Sequence, residues 1–189
     1  MKVSREQAAE NRARIVGAAA RLFRERGYDG IGIAELMHDA GLTHGGFYGH
    51  FESKQDLMAQ ACEHALAGSL AYWTQLIERD REHALQRIAA AYLSTAHRDQ
   101  PGRGCTFAAL GADAARLDPP VRRSLGQALR SYLELLTPLL PGRSRAARRQ
   151  RALTALASMV GALVLARAVD DPALSEEVLQ AVSAAVSSP

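Results

Sequence analysis

An all-α fold is what this sequence predicts: about nine helices, arranged as a small N-terminal three-helix unit followed by a larger helical unit. Three observations predict it. Residues of the AVILMFWYC set make up 48% of the 189-residue chain, with Ala and Leu dominant and β-branched and aromatic residues sparse, which favours helix over sheet. Apolar residues recur at three- and four-residue spacings along most segments. Pro- and Gly-containing breaks separate those segments, and the length suits one small domain attached to a larger one.

The elements follow in order. Ser4 and Gln7 form the S-x-x-Q pattern of a capping box, Gly27 is a C-terminal stop, and Ile15, Ala19, Leu22 and Phe23 share one face, so the first helix is amphipathic and core-facing. Gly30 and Gly32 break the chain. Ile33 to Ala40 reads as a short second helix, Gly41 as a turn, and Thr43 as the cap of a third short helix ending near Gly49. A fourth helix starts at Ser53, with Asp56 as capping-box partner, and runs to about Arg79, long enough to bridge two domains.

Beyond it, His83 to His97 is amphipathic, Pro101-Gly102-Arg103-Gly104 is a break, and Cys105 to Leu117 is another helix. Pro119-Pro120 opens a helix reaching Leu140, and Pro141-Gly142 ends it. Ser144 to Val169 places Leu153, Leu156, Val160, Leu163 and Val164 on one stripe. After Asp170-Asp171-Pro172, Leu174, Val178, Leu179, Val182 and Val186 form the apolar face of the last helix. Internal repeats and low-complexity segments are absent.

Several function classes recede. The only cysteines, Cys62 and Cys105, lie far apart and no apolar secretory stretch opens the chain, so a reducing cytoplasm is expected and a disulfide framework is not. The longest uncharged run, Ala152 to Ala166, falls short of the roughly 20 apolar residues of a membrane span. None of the six histidines forms an H-x-x-x-H pair, so neither metal nor another cofactor is expected. Gly-rich phosphate loops and Gly-x-Ser-x-Gly elbows are missing, in line with a chain that is not an enzyme. The net charge of +3 identifies no partner by itself, because residues 1–60 carry eight basic and eight acidic side chains. The arginines between Arg143 and Arg151 read as a solvated helix entrance.

The segment Ile33 to Phe51, IAELMHDAGLTHGGFYGHF, has the form of helix, Gly-containing turn and second helix, the arrangement that projects the second helix into the DNA major groove. Leu42, Phe47 and Phe51 serve as anchors, while Thr43, His44, Tyr48 and His50 face outward. Gly45 and Gly46 each cost about 1 kcal/mol in a helix relative to Ala, which points to close backbone approach, either to DNA or to Met37. Lys54 in the first turn of a helix opposes the macrodipole unless an anion such as a phosphate sits there.

Over Ile15 to Leu57, and especially GLTHGGFYGHFESKQDL at 41–57, the chain resembles the TetR family of bacterial transcriptional repressors. The resemblance implies a helix-turn-helix DNA-binding domain at 1–52 and an effector-binding and dimerisation domain at 53–189. It implies that Thr43, His44, Gly45 and Tyr48 contact bases and backbone, with His50 and Lys54 on phosphates, helped by arginines such as Arg5 and Arg12. Two departures stand out: Ile31-Gly32 replaces the usual hydroxyl residue opening the second helix, and Met37 occupies a place usually small. By the family's fold the last two long helices form the dimer interface, through Leu153, Leu156, Val160, Leu163 and Val164 and through Val178, Leu179 and Val182. The expected partners are a near-palindromic double-stranded operator, a second copy of the chain and an unknown small-molecule effector, with no membrane.

Trp73, Tyr92, Phe107 and Tyr132, with Cys105, are candidate lining for an effector cavity. Cys105 also follows Gly102-Arg103-Gly104 at a helix N-terminus with His97 and Arg98 upstream, a setting that favours the reactive thiolate. That leaves two alternatives open beside the ligand-released repressor: a thiol-based redox or electrophile sensor, and more remotely a cysteine-dependent enzyme using His97 as base. Plain burial is the commonest fate of such a cysteine, and Cys62 in mid-helix reads as core.

Overall fold

The computed structural model describes residues 4–117 and 119–188, so residues 1–3, 118 and 189 of the two expected units lie outside the described residues. Among the described residues nine α-helices form: α1 (Arg5–Arg26), α2 (Ile33–Asp39), α3 (Lys54–Arg79), α4 (Ala84–Tyr92), α5 (Thr95–Asp99), α6 (Thr106–Ala114), α7 (Pro119–Leu136), α8 (Arg145–Ala168) and α9 (Pro172–Ser187). Short 3₁₀ helices cover His44–Gly49, Pro101–Arg103 and Thr137–Leu139, and no strand is found among the described residues.

Local chemistry sets the ends. The Ser4, Ser53 and Ser144 hydroxyls accept from the backbone N–H three residues on, and Asp171 accepts from Ala173 and Leu174, so four helix starts have their orphan donors satisfied. The reciprocal half of the expected capping boxes is absent. Gln7 turns forward to Glu10 and Asn11, and Asp56 accepts from the Glu52 N–H rather than from Ser53. Gly27 (φ 78°) and Gly41 (φ 69°) supply the positive-φ positions where α1 and α2 stop.

Two expected helices are shorter than their apolar patterns. His83–His97 divides into α4 and α5, because the Ser94 hydroxyl accepts from the His97 N–H and starts a new helix. The α7 helix ends at Leu136, where Thr137 folds its hydroxyl back onto Leu133 O and Pro138 follows in a tighter turn.

The core runs without interruption from α1 to α9. The first half of α3 packs on α1, with Ala61, Cys62 and Ala65 facing Ala20 and Phe23, and its second half packs on α7, with Trp73 against Tyr132 at 4.8 Å between ring centres. By length and composition α8 could cross a bilayer, yet it buries Ala155, Leu156, Met159, Leu163 and Ala166 inside the bundle. The small residues along it let α9 approach closely.

Candidate nucleic-acid interface and interior cavity

The N-terminal unit is a scaffold for one short segment. Ile15, Phe23, Leu36, Met37 and Phe47 form its core, and ion pairs Arg21–Asp39 (2.7 Å) and Arg26–Glu35 pin α1 to α2. Phe47 is fully enclosed and touches Phe51, so it anchors the His44–Gly49 helix inward. Tyr48, the next residue, leaves 68% of its surface in water and meets Phe47 edge-on at 5.2 Å. Thr43, His44 and Gly45 are exposed beside it, His50 is half-buried against Phe51, and half-buried Lys54 opens α3 a few residues on. The six residues expected to meet DNA thus lie on one short stretch of surface.

Four details differ from the sequence reading. The segment is a 3₁₀ helix, since three glycines in six residues give weak α propensity and short pieces take the tighter hydrogen-bond pattern. Thr43 stands at its N-cap position but its side chain makes no capping bond. Met37 does not explain the glycines: a Cβ on Gly46 would meet its Cε at an ordinary 3.6 Å, and a Cβ on Gly45 would meet nothing within 4 Å. Arg12 is also not a free cation. It donates to Gln60 Oε1 and stacks over the Phe51 ring at 4.6 Å, while Gln60 donates to Asp56, so Arg12 braces the start of α3. Arg5 is exposed.

The far end of α1 reaches the second unit. Arg24 Nε (3.1 Å) and Nη2 both donate to the carbonyl oxygen of Gly102, in the Pro101–Arg103 turn. The turn presses so close to α1 that a Cβ on Gly102 would lie 2.2 Å from Glu25 Oε1. Burial lowers the pKa of Arg24 and pushes the nearby Cys62 thiol up to about 11, which keeps that cysteine a protonated core residue.

Arg103, at the end of the same turn, and Gly104 form one wall of a partly open cavity of about 270 Å³. Trp73, Tyr92, Cys105, Phe107 and Tyr132 all line it, brought together from α3, α4, α6, α7 and the N-cap of α6. The rings interlock edge to face, with centroids 6.0 Å apart for Trp73–Tyr92 and 6.2 Å for Phe107–Tyr132. The remaining wall includes Tyr72, His97, Gln100, Arg103 and Gly104.

His97 is fixed by both of its nitrogens. Its Nε2 accepts from the Cys105 backbone N–H at 2.9 Å, so Nδ1 carries the proton and donates to Tyr92 O at 2.6 Å. Burial, then the Arg167 guanidinium, hold its pKa below the ordinary value against the raising effect of the Tyr92 carbonyl. The ring's one lone pair is therefore engaged, and His97 is not placed as a base for the Cys105 thiol, which removes the geometry that a cysteine-dependent enzyme would need. Gly104 is required beside it, since a Cβ there would be 2.7 Å from His97 Nε2 and 3.0 Å from Arg167 Nη2. The Cys105 side chain is buried, at 8% exposure, and still borders the cavity.

On α8 and α9 the apolar stripes divide. Leu156, Leu163 and Leu179 are enclosed within their own chain, which corrects their place among interface residues: their stripe faces inward in the single copy. Leu153 and Val164 are exposed, Val160, Val178 and Val182 are half-buried, and Leu165 and Leu174 join them as large apolar groups facing water.

Sequence reasoning missed Arg103 on the cavity wall, Arg167 behind Gly104 and Arg24 at the Gly102 carbonyl. Arg167 has a legible signal, a lone cation at the end of an apolar helix. Arg24 has none, because its partner is a backbone carbonyl 78 residues away.

Comparison with known proteins bears on both units. Residues 15–61 match the model described as "Bacterial regulatory proteins, tetR family", and residues 82–182 match "Tetracyclin repressor-like, C-terminal domain". The chain is 27% identical over 134 residues to the HTH-type transcriptional repressor NemR of Escherichia coli, covering 69% of this chain and 67% of NemR. It superposes on the crystal structure of the reduced form of that protein with a TM-score of 0.77 at 25% identity, covering 94% and 95% of the two chains. A TetR-family regulator from Agrobacterium tumefaciens shares the fold, with a TM-score of 0.79 at 20% identity over 96% of this chain and all of that one.

Proposed function

Because the chain belongs to the TetR family of bacterial regulatory proteins, we propose that it is a cytoplasmic, homodimeric repressor that binds a near-palindromic operator and is released when a small molecule enters the interior cavity. Residues 1–52 are its reading unit, with Thr43, His44, Gly45 and Tyr48 at bases and backbone and His50 and Lys54 on phosphates. Residues 53–189 hold effector and partner. The exposed apolar groups Leu153, Val164, Leu165 and Leu174 on the last two helices support pairing there, because a soluble surface seldom gathers four such groups without a partner.

One observation carries the regulatory half of the reading: Arg103 and Gly104 border the cavity, and the adjoining Gly102 carbonyl is gripped by Arg24 of the reading unit. A ligand pressing on that wall acts on the seat of α1, and hence on the spacing of two reading heads that must sit about 34 Å apart. Family effectors of this kind need only favour one dimer geometry over another, by a coupling of about 1–3 kcal/mol, or roughly 5- to 150-fold in operator affinity. Selection of binding sites from random duplexes, followed by a screen for compounds that release the selected site, tests the reading. A selected motif without twofold symmetry, or a chain that sediments as a monomer on its operator, would overturn it.

A second reading places the signal at sulfur. Cys105 borders the cavity beside Tyr92, and the NemR structure that the chain resembles is of a reduced form. Cys105→Ser separates the two: a thiol sensor loses its response to oxidants and alkylating agents, whereas a ligand-released repressor keeps its response to a non-reactive effector.

A further inference from the structure

One buried donor on the cavity wall, and a second behind it, are left without a partner. Tyr92 is 5% exposed, lines the cavity, and its hydroxyl has no hydrogen-bond partner; the Cys105 thiol is close enough to influence it but does not meet hydrogen-bond geometry. Arg167, packed against the Gly104 wall, donates Nε to Arg98 O and Nη2 to His97 O, while its buried Nη1 has no partner. Of the acceptors on the wall, His97 Nε2 is taken by the Cys105 N–H and the Ser94 hydroxyl by the His97 N–H. Buried donors are normally paired, so this set describes the missing partner by difference.

Charge points the same way. Among the described residues no acidic side chain lines the cavity, Arg103 borders it, and neither Arg167 nor Arg24 has a carboxylate partner. A cation entering would meet like charge and no counter-ion, whereas an oxygen acceptor would find the Tyr92 hydroxyl and a positive wall. Trp73, Phe107 and Tyr132 supply aromatic surface, and about 270 Å³ suits a compound of two fused rings with a substituent.

We infer that the effector is a planar aromatic compound bearing an oxygen acceptor, neutral or anionic, which receives a hydrogen bond from the Tyr92 hydroxyl, and that aromatic cations are rejected. This rests on the reading of the cavity as the effector site. The test uses four matched probes on the full-length protein by equilibrium dialysis: 2-naphthoate, 2-acetylnaphthalene, naphthalene and 2-naphthylmethylammonium. The expected order places the carboxylate and ketone first, naphthalene at least tenfold weaker, and the ammonium weakest.

Tyr92→Phe keeps the ring contacts with Trp73 and His97, removes only the donor, and should weaken the two oxygen probes about tenfold while leaving naphthalene unchanged. A melting curve matching the parent confirms that the variant is folded. Binding of the ammonium as tight as that of the carboxylate, or oxygen probes indifferent to Tyr92→Phe, overturns this inference and leaves the cavity a ligand site. Failure of all four probes to bind overturns the cavity reading as well.

Discussion

Replacing Tyr48 by Ala separates reading from folding. The ring leaves 68% of its surface in water and its one aromatic partner is Phe47, so its contribution to the fold is at most about 0.5–1.5 kcal/mol. At about 2–4 °C per kcal/mol for a chain of this size, the melting midpoint should fall by less than about 6 °C. On the proposed operator the arithmetic differs, because a symmetric dimer would lose the contact twice. At about 1–3 kcal/mol for each reading side chain, the pair amounts to about 2–6 kcal/mol, or roughly 30-fold to more than ten-thousandfold in affinity. Fluorescence anisotropy on the selected operator and on a random duplex at one salt concentration measures this, beside thermal melts and sedimentation. Phe47→Ala is the comparator: the side chain is fully enclosed, so its loss should cost about 3–5 kcal/mol and move the melt by about 6 °C or more. If Tyr48→Ala melts as low as Phe47→Ala, or keeps its preference for the operator, the reasoning about this segment is refuted.

Lys54→Ala should weaken operator and random duplex alike and reduce the slope of log affinity against log salt by about one per protomer; a loss confined to the operator would mean that the lysine reads bases. Gly45→Ala should leave the melt unchanged, since its Cβ would meet nothing within 4 Å, yet lower operator affinity if the DNA backbone comes within contact there; unchanged affinity would show that the space stays open on DNA. His97 gives a pH signature. The folded state holds its pKa below 6.5, so the unfolded chain takes up the proton first as pH falls; the stability contributed by the neutral ring is complete above about pH 6.5 and is lost as pH drops through the folded value. Melting midpoints between pH 8 and 5 should therefore decline more steeply in the parent than in His97→Gln, and parallel curves would show that the ring is not held neutral.

The legible part of the molecule was what local chemistry writes. Ser4, Ser53, Gly27 and Gly41 mark helix ends within a residue or so, and the FYGHFESK string places an enclosed phenylalanine beside an exposed tyrosine. The aromatic residues named as candidate lining, spread from 73 to 132, border one cavity, although helical core and cavity lining read alike in sequence. What failed depended on long-range or competing contacts. Leu156 and Leu163 share a helical face with Leu153 and Val160, and periodicity cannot tell the side facing the chain's own core from the side left for a partner. Arg12 looked free because Gln60 is 48 residues away, and the remote alternative of a catalytic His97–Cys105 pair stays open in the sequence because only the structure puts the backbone N–H, rather than the thiol, at the imidazole.

The grip of Arg24 on Gly102 sets a condition for building hybrid sensors from this chain. Cutting after residue 52 and grafting a foreign head would preserve the covalent joint and lose the other one, since residues 24 and 25 of the donor would arrive against an unchanged 101–104 turn. The seam runs through two places, 78 residues apart in sequence. A transplant that carries its own version of that turn should keep its induction ratio, and one that does not should yield a head deaf to whatever fills the chamber beneath it.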